Sequence, residues 1–242
     1  MVKNLAIFDI DGTLTKTNQV DDACFVQSFV DELEIRNLDT DWSRYPTVCD
    51  SGITQHIFRT HLGRMPSAPE LARLQRRFVL LLEHAYERQP HLFVEVPGAG
   101  TAVHNLRQHP DWAVAIATGG WQTSAVFKLS KAGIAVDGLP AAFADHGVTR
   151  EVILAAALVM ARQTYQQQHF LRIVYIGDGV WDVRTARQLN LDFLGVASGE
   201  REAALRAEGA RAIIQDFTDF DRFRHVLEEL DYGKSVVRSS AK

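Results

Sequence analysis

Three short stretches carry side chains whose types and spacing can do chemistry. The first is Asp9-Ile10-Asp11-Gly12, which closes the apolar run of residues 5–8. Side chains alternate faces along an extended chain, so Asp9 and Asp11 point to one side and Ile10 to the other. Two carboxylates that close repel, and the pair calls for a bound cation, a proton on one member, or both. Gly12 lets the backbone turn sharply where a Cβ would obstruct it. The same spacing also suits a strand that simply runs out into an acidic, solvated turn. The second stretch is Thr118-Gly119-Gly120, after the apolar residues 113–117. A hydroxyl and unobstructed N–H groups at a helix start can hold phosphate oxygens, although such a turn is also an ordinary strand-to-helix connection. The third is Gly177-Asp178-Gly179-Val180-Trp181-Asp182, after residues 173–176. Asp178 can reach an oxygen-seeking cation. Asp182 can cap the next helix, hold a metal-bound water, or do both, and Trp181 reads as packing beside the site.

Each stretch stands where a buried strand stops, and helices must carry the chain from one to the next. After the first comes a polar link and then three helical patterns in succession with no strand between them. Val26, Phe29, Val30 and Leu33 mark one; a loop over residues 37–46 follows; Ile53, Ile57, Phe58 and Leu62 mark a second, ending at Gly63. The third opens on Ser67 and Glu70 at capping-box spacing, carries Leu71, Leu74, Phe78, Leu81, Leu82 and Ala85, and stops at Pro90. Strands and helices then alternate: strands at 113–117, 141–144, 173–176, 193–197 and 212–214, and helices at 121–132, 149–167, 183–189, 200–208 and 220–230. The expected fold is α/β, with a Rossmann-like core of residues 1–15 and 96–232, a small α-helical insertion of residues 16–95, and a polar tail, 233–242, that frays. Strands joined by helices pair in parallel with right-handed crossovers, and ligands gather at their carboxyl edge near a topological switch. All three stretches fall on that edge.

Asp9-Ile10-Asp11-Gly12-Thr13-Leu14-Thr15 resembles the first signature of the haloacid dehalogenase superfamily, in the form D-x-D-G-T-L/V of its phosphatases. Residues 115–120 resemble the second signature, a strand ending in Ser or Thr, and Gly177-Asp178-Gly179-Val180-Trp181-Asp182 resembles the fourth, GDGxxD. Arg150 stands where the third signature places a basic residue, more often lysine; a surface arginine would look the same in the sequence. The insertion is similar to the family's helical C1-type cap, and the whole to its phosphoglycolate phosphatase-like members. The resemblance implies a phosphatase that binds Mg²⁺ through Asp9, Asp11, Asp178 and Asp182. It implies catalysis by Asp9, Asp11, Thr118 and Arg150, with Gly119 and Gly120 binding substrate. In that scheme Asp9 attacks phosphorus to give an aspartyl-phosphate, and Asp11 protonates the leaving oxygen and then deprotonates water. Family dehalogenases and phosphonatases lack an acid at the second position and the transport ATPases carry Thr there, so Asp11 favours phosphate-ester hydrolysis. A sugar phosphomutase of the β-phosphoglucomutase type shares both aspartates, and a metabolite-binding regulator with a degenerate site is the alternative that is not an enzyme. A cap closing over the site suits a small phosphorylated metabolite, for which Lys16, Arg44, Thr54, Arg59 and Arg64 are candidate contacts.

Composition narrows the rest. The chain has 242 residues and a formal net charge of −4, which does not suit a general binder of nucleic acid or acidic membrane. No apolar run approaches the roughly 18 residues that a membrane span requires. Met1 leads into the first strand without a basic flank or cleavage site, so no secretory signal is expected and the location is read as cytoplasmic. The two cysteines, Cys24 and Cys49, are too few for a disulfide framework and fit a reducing compartment as small buried residues. His56 and His61, five apart on a helix, point in different directions and do not complete a zinc site. Neither a G-x-S-x-G elbow nor a Walker loop nor a G-x-G-x-x-G turn follows a strand. The oligomeric state has no signature here.

Overall fold

Burial on both faces makes the strands of this chain read as continuous apolar runs rather than alternating ones. In the computed structural model, which describes residues 2–230, those runs form one parallel six-stranded sheet. The strands are β1 (Asn4–Phe8), β2 (Trp112–Ala117), β3 (Ala141–Ala142), β4 (Ile173–Gly177), β5 (Asp192–Val196) and β6 (Ala212–Ile214), in the spatial order β3-β2-β1-β4-β5-β6. Chain order reverses at β1, which pairs with β2 on one side and β4 on the other, so the switch point lies where Asp9 leaves the sheet. Alternation along β1 sends Leu5 and Ile7 into one hydrophobic layer and Ala6, Phe8 and Ile10 into the opposite one. The tail 233–242 lies outside the described residues. Among those described, no helix is long and apolar enough to cross a membrane.

Between β1 and β2 run α1 (Asn18–Leu33), α2 (Asp50–Leu62), α3 (Ala68–Arg88) and α4 (Ala99–Gln108). The first three carry the expected helical patterns, and α3 starts on the Ser67–Glu70 capping box, with the Ser67 N–H donating to Glu70 Oε2 at 2.9 Å. Phe25 of α1, Phe78 of α3 and Trp121 meet at ring separations of 5.6 to 6.1 Å, which fixes α1 and α3 over the carboxyl edge of β2. Each buried ring contributes about 1.5–3 kcal/mol. The stretch expected as a loop contains a short 3-10 turn, Trp42–Arg44, because the Trp42 ring packs edge-on against Phe25 and its Nε1–H donates to Asp22 at 2.8 Å.

The remaining helices are α5 (Gln122–Lys131), α6 (Arg150–Thr164), α7 (Val180–Gln188), α8 (Glu200–Glu208) and α9 (Phe220–Glu229). Strand β3 stops two residues earlier than expected. Its continuation is captured by the loop after β2: the Ala144 N–H donates to the Gly120 carbonyl at 2.9 Å, and Ala144–His146 forms a 3-10 turn. The short β3 leaves Val114 open on that side, and Tyr165 fills the gap, its hydroxyl donating to the Val114 carbonyl at 2.7 Å and accepting from the Val114 N–H at 3.2 Å.

Candidate functional site

The floor of the site is made of strand ends. Asp9 continues β1, its N–H donating to the Ile176 carbonyl at 2.9 Å, and Asp178 follows β4. Both are buried, and Asp9 Oδ1 has no hydrogen-bond partner. The turn after Asp9 presses on Asp178: Gly12 has φ +78°, and a Cβ there would lie 1.9 Å from Asp178 Oδ2. Glycine is thus required at that position by backbone conformation and by space. Asp9, Asp178 and Asp182 each bring one carboxylate oxygen within 4.8 Å of the others.

Arg150, the first residue of α6, ties this floor together. Its Nη1 donates to Asp182 Oδ1 at 2.7 Å and to the Tyr175 hydroxyl at 3.1 Å and lies 3.6 Å from Asp9 Oδ1, while its Nε donates to the Val48 carbonyl at 2.7 Å. Tyr175 in turn donates to Asp182 Oδ1 at 2.9 Å, and Asp182 Oδ2 accepts the Gly179 N–H at 2.9 Å. Asp182 therefore caps α7 and anchors Arg150 at once. Arg201, more exposed, donates to Asp178 Oδ2 at 2.9 Å.

Asp11 turns toward the insertion. Its Oδ1 accepts from Thr17 Oγ1 and its Oδ2 from Lys128 Nζ, each at 2.6 Å. Lys128, on α5, is fully buried and also pairs with Asp21 of α1. Beside it Thr118 Oγ1 accepts the Gly120 N–H at 3.2 Å, so the Gly120 amide is engaged within its own turn. The start of α2 is stitched to the same loop and to the turn after β3 by four bonds. Asp50 N–H donates to the Gly119 carbonyl at 2.7 Å and Trp121 N–H to Asp50 Oδ2 at 2.8 Å; Trp121 Nε1–H donates to Ser51 Oγ at 3.0 Å and Ser51 Oγ to the Ala144 carbonyl at 2.7 Å.

Between floor and roof lies a cavity of about 110 Å³. Asp9, Asp11, Thr118, Gly119, Gly120, Arg150, Asp178 and Trp181 line it from the core, and Asp21, Asp22, Phe25, Trp42 and Asp50 are among the residues lining it from the insertion. Burial, helped by Asp182 and Asp11, pushes the Asp9 carboxyl up to about 7 against the pull of Arg150. Burial likewise holds Asp178 well above the usual carboxylate range, with Asp182 and Asp9 adding to it. Asp50 is pushed up to about 7, chiefly by burial. Burial works against the charge on Lys128 and Arg150, but Asp11 and Asp21 outweigh it for the first and Asp182, Tyr175 and Asp9 for the second, so both hold their protons more tightly than usual. Burial pushes the Cys49 thiol up to about 11, which makes it a poor nucleophile at neutral pH.

The donor set fits a divalent cation: buried oxygens converge, one Asp9 oxygen is unpartnered, and burial destabilises the Asp9 and Asp178 charges that such an ion would offset. Asp182 is already engaged through both oxygens.

Asp9, Asp11, Thr118, Gly119, Gly120, Arg150 and Asp178 meet at the one cavity, with Asp182 directly behind Arg150. Lys16, Arg44, Thr54, Arg59 and Arg64 do not line it. Arg44 pairs with Asp39 and Asp41 and Arg64 with Glu70 at the surface, while Thr54 is buried. Lys128, Tyr175, Asp21, Asp22 and Asp50 belong to the site without standing in any of the sequence motifs. Lys128 left a signal: it sits on the stripe of Ser124, Ala125 and Leu129, where a lysine is buried only if paired.

A model of the family "haloacid dehalogenase-like hydrolase" matches residues 3–190. No curated protein matches the chain. Among solved structures, a hydrolase from Pseudomonas syringae is 21% identical at a TM-score of 0.69, over 96% of this chain and 100% of that one. A putative beta-phosphoglucomutase from Bacteroides vulgatus is 12% identical at 0.64, over 94% and 89%. A predicted phosphoglycolate phosphatase from Haemophilus somnus is 14% identical at 0.58, over 92% and 98%. At these identities the likeness is one of fold.

Proposed function

Because the chain belongs to the haloacid dehalogenase-like hydrolases, we propose that it is a magnesium-dependent phosphatase acting on a small phosphorylated metabolite. The observation that carries this most directly is the unpartnered Asp9 oxygen beside Arg150, at the floor of a cavity that also holds Asp11 and Asp178. In this scheme an Asp9 oxygen forms a bond to phosphorus as the bond to the leaving oxygen breaks, and Asp11 gives that oxygen its proton. Water then attacks the aspartyl-phosphate, Asp11 takes the proton back, and inorganic phosphate leaves with Asp9 restored. Thr17 and Lys128 hold both Asp11 oxygens, which fixes its direction. The Thr118 hydroxyl, the Gly119 amide and Arg150 steady the equatorial oxygens as charge spreads over them. Gly120 contributes by orienting Thr118 through its engaged N–H. Asp9, Asp178 and the Asp11 carbonyl would hold Mg²⁺, with Asp182 on a bound water, and the ion would supply charge to offset repulsion between carboxylates and phosphate.

Residues 16–95 act as the cap, closing the floor to bulk water, and 1–15 with 96–232 as the catalytic core. The two buried, free cysteines suit a reducing, cytoplasmic setting. Phosphate release from a panel of phosphorylated metabolites, with Mg²⁺ and with EDTA, tests the proposal. We expect release that requires the metal. Isomerisation of a sugar phosphate with little free phosphate would make the protein a mutase, and binding without turnover would make it a regulator.

A further inference from the structure

Resting on that phosphatase reading, we infer that the substrate is the phosphomonoester of a small amino alcohol, its ammonium group held between Asp22 and Asp50 beneath the aromatic rings of the insertion. The charges around the cavity pair off unevenly. Lys128 is taken by Asp11 and Asp21, Arg150 by Asp182 with Asp9 nearby, and Arg201 by Asp178. Asp22 and Asp50 are left with neutral donors alone: the Trp42 indole N–H on Asp22 Oδ1 and the Trp121 amide on Asp50 Oδ2. The insertion brings no cation into the lining, since Arg44, Arg64 and Arg77 are spent on Asp39, Asp41, Glu70 and Asp31 at the surface.

Asp9 Oδ1, on a residue only 2% exposed, lines the same cavity with no hydrogen-bond partner, which places the phosphoryl group at the floor and its leaving group toward α1 and α2. There the leaving group meets Phe25 and Trp42, 5.8 Å apart and edge-on. Aromatic faces attract ammonium groups, and one seated beside Asp22 and Asp50, whose hydrogen bonds come from neutral N–H groups, supplies the cation that a neutral alcohol does not. A carboxylated leaving group fares worst, because the charge-bearing side chains that the insertion brings to the lining, Asp21, Asp22 and Asp50, are all acids.

Matched esters provide the test: 2-aminoethyl phosphate, its neutral counterpart propyl phosphate and its carboxylated counterpart phosphoglycolate, each with Mg²⁺ and followed by phosphate release. We expect kcat/KM for the amine to exceed that for the neutral ester by about tenfold or more, the scale of one desolvated cation–π or ion-pair contact. Its lead over the carboxylated ester should be larger still. Asp22→Asn should shrink the amine-to-neutral ratio, chiefly through KM for the amine. Equal or faster turnover of propyl phosphate or phosphoglycolate by the unmodified protein overturns the inference, independently of how the variant folds, and so does a ratio that Asp22→Asn leaves unchanged. Those results leave the phosphatase reading standing. If none of the three esters nor p-nitrophenyl phosphate releases phosphate, the phosphatase reading itself falls and takes this inference with it.

Discussion

At the floor of the cavity each key acid meets an opposite charge: Asp182 bonds Arg150, Asp178 bonds Arg201 and Asp11 bonds Lys128. At the roof Asp22 and Asp50 bond only neutral N–H groups. The floor is wired to hold one constellation whatever is bound, as preorganised chemistry demands. On the amino-alcohol proposal the roof keeps two acids without a cation in reserve, at some cost to the empty protein, and that reserve selects what enters. If this division holds, floor substitutions should remove turnover and roof substitutions should change preference or stability.

The largest effect belongs to Asp9→Asn, which keeps the shape and removes the proposed nucleophile; phosphate release should fall by at least about 10³-fold with the circular dichroism spectrum unchanged. A variant with near-normal steady-state activity would break the comparison at its strongest point. Arg150→Ala comes next. It should lower kcat by roughly 10²-fold and, by leaving Asp182 buried without its cation, destabilise the fold by about 3–5 kcal/mol in urea titrations. Arg150→Lys should recover only part of either loss, because one ammonium cannot serve Val48, Tyr175 and Asp182 together. The smallest effect is at the roof and has the opposite sign. Burial raises the Asp50 carboxyl from 3.8 to about 7, so folding favours its protonated form. The stability this gives is complete below the unfolded value and is lost as pH rises through 7. Asp50→Asn keeps an acceptor for the Trp121 amide and should gain roughly 1–3 kcal/mol more at pH 8 than at pH 5, read as a rise in Tm. A loss at pH 8 would mean that the roof holds no such reserve.

The floor was legible in the sequence because its parts are local. A buried run that stops at Asp9, at Thr118 or at Asp178 announces both a strand and the edge on which its polar residue stands, and parallel pairing then brings those edges together. Arg150 was legible only through a family resemblance, since an arginine at a helix start looks the same whether it faces water or Asp182. Tyr175 was hidden for a different reason: its ring packs as core while its hydroxyl serves Arg150 and Asp182. The roof was hardly legible. Asp21 and Asp50 lie in helical first turns, where an acid is commonplace beside the helix dipole. The packing of Phe25 and Phe78 on Trp121 turns α1 and α3 inward, and the bonds of Asp50 and Ser51 do the same for α2. Charge alone does not mark a substrate contact: Arg44 and Arg64 pair with acids closer to hand in the chain.

The four bonds that fasten the start of α2 make that helix and the turn at Thr118 one mechanical unit. The carbonyl that Asp50 grips belongs to the same peptide unit as the Gly120 N–H that steadies Thr118. Whatever lifts the start of α2 off that carbonyl therefore pulls on the hydroxyl behind it, and neither can be displaced alone.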